Sequence, residues 1–364
     1  MTAHQPTRLT ATGTARPLDP AAMLDLVCEH FVEHGTVTRG ADFGRIENPI
    51  GNAEFRIEGA ALAIRIDCPD AASLFTVKSV IAEHLFLFSG DAPMELDWHD
   101  AGPPAEIPFF RQATVLSAAN VTPRMRRVTL SVPDAERLGQ GGLHVRLLLP
   151  PTGRSPVWPT ARPDGRIRWP DGDDALVVRV YTIRALDPDA STVDIDFVLH
   201  EGDHTPAATW SKTVEPGAVI GLMGPGGGGL PDAGRLFIAG DETALPAIIR
   251  MAEAMAPGTA ATIVIELDNP DERQPLSSQA DIDLTWLYRH GRPAGTAGLL
   301  PQAVRAARLD LDDGQFHVWV ACEHAEARDI RRYLRQERKH DRTRHMVAAY
   351  WRRGHSGEDE ADDA

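Results

Sequence analysis

The sequence is short of cysteine, of basic charge and of long apolar runs, and each shortage excludes something. Its three cysteines, Cys28, Cys68 and Cys322, form no C-x-x-C pair, and an odd number argues against a disulfide framework. Reduced thiols, and with them a cytoplasmic setting, are the expectation. Lys and Arg number 37 against 52 Asp and Glu, a net charge of -15. Such a surface repels nucleic acid and anionic membranes, so an anionic ligand needs a local basic pocket. The first residues lack the basic-then-apolar pattern of a signal peptide. No uninterrupted apolar run approaches the length of a membrane span. No acid–base dyad stands out, so no catalytic side chain is assigned.

What is present is a chain of 364 residues, enough for two or three domains. Residues 1–105 predict a small α+β domain. Asp19-Pro20 reads as a helix start, Leu24, Val27 and Phe31 follow at helical spacing, and Gly35 is a stop signal. Ala61 to Cys68 alternates like a strand. Asp70 caps a second helix that carries Leu74, Val77, Ile81, Leu85 and Phe88 on one face. Phe31, His34, His84 and Trp98 read as core packing. Residues 106–232 hold short β-rich runs at 113–118, 127–132, 144–149, 176–184, 193–200 and 218–223, the spacing of an antiparallel barrel. The Pro-, Gly- and Asp-rich stretch 151–174 reads as a surface excursion. Residues 233–355 alternate strand and helix, which implies a parallel sheet covered on both faces. The acidic residues 356–364 read as a disordered tail.

Several motifs carry possible chemistry, and each has a plainer reading beside it. Arg179-Val180-Tyr181-Thr182-Ile183-Arg184 offers a phenol ring, a hydroxyl and guanidinium forks, which suit a flavin and its pyrophosphate. The plainer reading is an edge strand with exposed arginines. On a straight strand Arg179 and Tyr181 share one face, and Thr182 and Arg184 the other. Gly240-Asp241-Glu242-Thr243-Ala244 follows a strand and opens a helix, so it faces a ligand crevice or simply caps its own helix. His200 and His204 have a metal-like spacing, but they sit in a turn with no third ligand adjacent, so no metal is assigned. Thr205-Pro206-Ala207-Ala208-Thr209 reads as a helix start whose small residues let a pyrophosphate approach. Gly224-Pro225-Gly226-Gly227 follows an antiparallel-type strand and is neither a dinucleotide fingerprint nor a P-loop. Arg328, Arg331, Arg332 and Arg335 form a helical stripe, either a solvated face or a holder of a cofactor phosphate. Tyr350 and Trp351 are core aromatics or neighbours of a flavin ring.

The order of these motifs, with Trp319-Val320-Ala321-Cys322-Glu323 and Tyr350-Trp351-Arg352-Arg353-Gly354, resembles the siderophore-interacting protein family over residues 109–354. The resemblance implies a ferredoxin–NADP reductase-like fold. That is an antiparallel Greek-key FAD-binding β-barrel and a Rossmann-like parallel α/β nicotinamide domain, here preceded by the small α+β domain. It implies an FAD-dependent, NADPH- or NADH-driven reductase of ferric siderophores, releasing Fe(II) for iron uptake. The partner would be an anionic iron chelate, and the chain a cytoplasmic monomer. The alternatives are a diaphorase or electron-transfer flavoprotein on the same scaffold, or a siderophore-binding escort without activity. By the same resemblance, FAD would be held by Arg179, Tyr181, Thr182, Arg184, His200, Ala207, Ala208, Thr209, Asp241, Glu242, Thr243 and Ala244, with Trp351 beside it. The family's siderophore-facing H-x-K is His144-Val145-Arg146 here, which assigns Arg146 to the substrate. The family's G-P-R-G lacks its arginine, Gly226 standing in its place, and its A-G-E is Ala321-Cys322-Glu323.

Overall fold

A computed structural model describes residues 8–32, 34–99, 106–199, 205–310 and 313–355. The first segment builds β1 (Leu9–Arg16), α1 (Pro20–Phe31), β2 (Thr36–Arg39), β3 (Phe43–Asn48), β4 (Gly51–Glu58), β5 (Ala61–Cys68), α2 (Ala71–Ser89) and β6 (Glu95–Trp98). The strands form an antiparallel sheet in the order β2-β3-β4-β5-β1-β6. Asp19 caps α1 by accepting from Ala21 N and Ala22 N, and the helix ends at Phe31, before Gly35. Asp70 caps α2 through Ser73 N. Both helices pack their apolar faces on the sheet, where Leu24, Val27, Phe55, Ile64, Ile81 and Leu85 share one core. Among the described residues, α2 alone has a length and composition that would suit a membrane span. Lys78 and Glu83 interrupt it, and Phe75, Ile81, Ala82 and Leu85 are buried in the core. His30 and His84 stack at 4.4 Å beside Phe31, and among the described residues no three metal-ligating side chains converge.

The barrel begins with β7 (Phe110–Thr122), β8 (Met125–Ser131) and β9 (His144–Leu149). After an excursion it resumes with β12 (Val177–Asp187), β13 (Thr192–Val198), α3 (Pro206–Thr213) and β14 (Val219–Gly226). The six strands close in the order β12-β13-β8-β7-β14-β9. Val128, Leu130, Val145, Leu147, Ile183, Ile195 and Leu222 fill the interior, as period-two alternation requires.

The excursion forms a small hairpin, β10 (Thr160–Ala161) with β11 (Ile167–Arg168). Residues Val157–Ala175 join Met1–Phe110 in one compact unit, and the rest of the chain forms the second. In that first unit Trp98 Nε1 donates to Asp164 O at 2.9 Å, and Ser79 Oγ to Gly165 O at 2.7 Å. Ile167 N donates to Glu83 Oε1, and the Arg166 guanidinium lies 3.5 Å from the centre of the Phe86 ring.

The last segment alternates β15 (Arg235–Gly240), α4 (Leu245–Ala254), β16 (Ala260–Leu267), β17 (Asp281–Tyr288), α5 (Leu299–Ala306), β18 (Phe316–Glu323), α6 (His324–Arg332) and β19 (His345–Trp351). All five strands are parallel, in the order β17-β16-β15-β18-β19. The order reverses at β15, so the crevice of such a sheet opens at the carboxyl ends of β15 and β18.

Trp98→Phe removes the indole N–H that Asp164 O accepts and part of the ring over which Lys78 Nζ lies. We expect it to cost about 2 kcal/mol and to speed tryptic cleavage after Arg166 and Arg168; Arg162 precedes Pro163 and is no tryptic site. An unchanged cleavage rate would show that this bond does not fasten the segment.

Candidate functional site

The hexapeptide lies on β12, paired with β9 so that Tyr181 faces Val145 and Thr182 faces His144. Alternation turns Tyr181 toward the barrel interior. Its ring centre lies 4.4 Å from that of Phe197, tilted by 38°, and Phe197 in turn meets Trp210 at 5.6 Å. Burial raises the Tyr181 phenol well above its ordinary pKa, with Arg179 pulling the other way. Arg179 Nη1 donates to Val178 O. Thr182 is only 6% exposed. Past Ile183 the pairing of β12 with β13 slips by a bulge, which re-aims the chain. There Arg184 forms a two-pronged pair with Glu253 at 2.9 and 3.0 Å, while its Nε is buried with no partner. Arg146, exposed on β9, lies between Val180 of β12 and Met223 of β14.

The glutamate that Arg184 holds belongs to α4, the helix opened by Gly240–Ala244. Arg250 of that helix also donates to Leu143 O and Ile183 O. The two motifs, far apart in sequence, thus meet through α4. Gly240 has to be glycine: a Cβ there would stand 2.5 Å from Ala244 Cβ and 2.8 Å from Ala321 O. Asp241 is 3% exposed and fully engaged. Its Oδ1 accepts from Thr243 N and Thr243 Oγ1, and its Oδ2 from Trp351 Nε1 at 2.7 Å. Its carboxylate therefore caps its own turn and fixes the last aromatic of β19. Glu242 pairs with Arg289 through two bonds of 2.7 Å, and Arg289 reaches Glu266 at 3.2 Å. Thr243 is half-buried and Ala244 fully buried.

The expected helix start at Pro206 is α3. Ala207 lies in the barrel core, Ala208 is buried and Thr209 is exposed. His200, with the rest of the His200–His204 segment, lies outside the described residues. Three arginines of the helical stripe serve the fold: Arg331 donates to Val347 O, Arg332 pairs with Asp329, and Arg335 reaches His345. Arg328 is exposed.

Sequence reading missed the acidic set around the strand ends. Glu266 and Arg289 are 1% and 2% exposed, and Glu266 keeps one oxygen without a partner. Glu323 caps α6 through Ala325 N and also accepts from Arg353 N. Glu326 accepts from Gly298 N. Charged residues closing the apolar strand before Asp268 were the available signal; the partners, being distant in sequence, gave none. Burial, then the Glu242 charge, pushes Asp241 up to about 7. Burial, then Glu266 and Asp241, pushes Glu326 to about 7. The Cys322 thiol is raised further, by burial and by this same ring of carboxylates.

Both carboxyls stand above their unfolded values of about 4, so the folded protein binds more protons than the unfolded chain between about pH 4 and 7. Their contribution is present in full below that window and is lost as pH rises through it. Glu326→Gln keeps the acceptor for Gly298 N. It should raise the melting temperature more at pH 8 than at pH 5; an equal shift at both would show that Glu326 ionises freely.

Comparison with known proteins finds three family models along the chain. A family model described as siderophore-interacting FAD-binding domain matches residues 114–229. One described as siderophore-interacting protein matches 233–354, and an uncharacterized family conserved in bacteria matches 12–99. A siderophore utilization protein from T. fusca superposes with a TM-score of 0.59 at 33% identity, covering 68% of this chain and 94% of that one. The siderophore-interacting protein SipS from Aeromonas hydrophila gives 0.57 at 33% identity, covering 68% and 93%. Ferric vibriobactin reductase ViuB of Vibrio cholerae is 28% identical over 245 residues, 65% of this chain and 88% of that protein.

Proposed function

The chain belongs to the siderophore-interacting protein family, and from that premise we propose that it is an FAD-dependent reductase of ferric siderophores driven by NADH or NADPH. The observation that carries the reading is the meeting of the two motifs through α4, where Arg184 of the barrel grips Glu253. The residues fit a flavin dinucleotide. The orphaned, buried Nε of Arg184 suits an added anion, and a Cβ on Gly226, Gly228 or Gly229 would meet nothing within 4 Å.

Arg179, Tyr181, Thr182 and Arg184 would hold the cofactor, with His200, the α3 start Ala207-Ala208-Thr209, and Trp351. Asp241 and Glu242 have their carboxylates engaged, so they would offer main chain, as would Thr243 and Ala244. Bound there, a flavin converts a two-electron donor into single electrons for iron. Thr182 would offer a hydroxyl, and Tyr181, turned inward onto Phe197, only the part of its ring that stays exposed. Arg146 would meet the negative charge of the chelate, a local cation in an acidic protein. Reduction to Fe(II) weakens the grip of hard oxygen ligands, so release follows from the electron count alone.

The test is anaerobic. Protein loaded with FAD is reduced with NADH or NADPH, then mixed with a panel of ferric chelates and an Fe(II) trap. Reoxidation with trapped Fe(II) is expected. Reoxidation by dyes but not by ferric chelates would favour a diaphorase, the reading to which the absent G-P-R-G arginine points. Protein that takes up no FAD would remove the assignment. Arg184→Ala should weaken FAD binding about tenfold. Glu253→Ala breaks the same ion pair yet leaves the arginine, and should bind FAD as the unsubstituted chain does. Equal losses in both would make Arg184 a strut only.

A further inference from the structure

His144 is half-buried on β9, with Thr182 opposite it on β12 and Gly226 opposite it on β14. Residues directly opposed in antiparallel strands point to one face with Cβ atoms about 5 Å apart, so the three form a row. His144 Nε2 lies 2.8 Å from the Tyr350 hydroxyl, and the rings meet edge-on at 5.3 Å. Tyr350 belongs to β19 and also meets Trp319 edge-on at 6.1 Å.

Glycines make room for this arrangement. A Cβ on Gly227, whose φ is +72°, would stand 2.6 Å from His144 Nδ1, and one on Gly142 would stand 2.2 Å from Gly226 O. Burial, then the Arg250 charge, pushes His144 down to about 4, so the ring is neutral, with one donor and one acceptor nitrogen. The next residue of β19, Trp351, is bonded to Asp241. Two successive aromatics thus fasten the last strand, one to the barrel and one to the crevice of the parallel sheet.

We infer that His144, held by Tyr350, is a positioning residue for the edge of a flavin lying against Thr182, and that their hydrogen bond ties the flavin-facing row of the barrel to the last strand of the parallel sheet. This rests on the flavin reading of Thr182. A slack imidazole would unsettle the row directly, and a displaced Tyr350 would carry Trp351 with it.

Three single variants and one double variant, Tyr350→Phe with His144→Ala, test it. Tyr350→Phe keeps the ring and deletes the hydroxyl. His144→Ala removes the imidazole, and His144→Asn keeps a short hydrogen-bonding side chain should the alanine variant not fold. FAD dissociation constant, flavin midpoint potential and the flavin visible band are measured on each loaded protein. Tyr350→Phe and His144→Ala should each weaken FAD binding about tenfold and move both the potential and the band. The double variant should be no worse than His144→Ala, as coupled partners require. A constant, potential and band in Tyr350→Phe equal to those of the unsubstituted chain would overturn the inference. So would additive losses in the double variant. Failure of the unsubstituted chain to take up FAD would instead overturn the flavin reading, and the inference with it; that failure is distinguishable because it needs no substitution.

Discussion

Closure of the barrel at β12 and β9 decides how the hexapeptide can be used. Antiparallel pairing with Leu147, Arg146, Val145 and His144 sends Tyr181 and Ile183 inward and sets Thr182 outward. A slip of one residue would turn Thr182 and His144 toward the barrel interior and Tyr181 away from it. The fixed register also brings Gly142 and the glycine turn after β14 around His144. The bulge beyond Ile183 then frees Arg184 from the alternation, so that it can reach Glu253 on α4. One register therefore sets the polar row of the barrel and one of the fastenings between barrel and sheet.

The carboxyl ends of the parallel strands are governed by charge. Asp241, Glu242, Glu266, Glu323 and Glu326 gather there, and Arg289 answers two of them. Such a group is tolerable because its members are busy. Asp241 and Glu323 accept from backbone N–H groups, and Asp241 also accepts from an indole. Burial raises Asp241 and Glu326 to about 7, so protons taken up as pH falls through that value lessen the repulsion.

The barrel was legible because its strands alternate strongly and turn residues part them. All six expected runs hold strands, and α1, α2 and α4 begin within a residue of where their caps and turns put them. Five strands of the first sheet carry little signal: β1 is Leu-Thr-Ala-Thr-Gly-Thr-Ala-Arg, with small side chains that give little contrast, and β2, β3, β4 and β6 are rich in charge or short. β17, Asp-Ile-Asp-Leu-Thr-Trp-Leu-Tyr, alternates because it lies at the sheet edge, unlike the uniformly apolar strands inside a parallel sheet. Missing it hid Arg289 just beyond. Of the site, neighbours in sequence such as Tyr181 and Thr182 could be read directly. Arg184 with Glu253, Asp241 with Trp351 and His144 with Tyr350 could not, since each pair is joined only by folding.

The hairpin of Thr160–Ala161 and Ile167–Arg168 has a consequence in time as well as in space. The unit that begins the chain is finished by residues Val157–Ala175, which are made only after β7, β8 and β9 of the barrel. A ribosome therefore releases the six-stranded sheet and its two helices well before the peptide groups of Asp164, Gly165 and Ile167 that engage Trp98, Ser79 and Glu83. Completion of the first unit therefore waits for synthesis of part of the second.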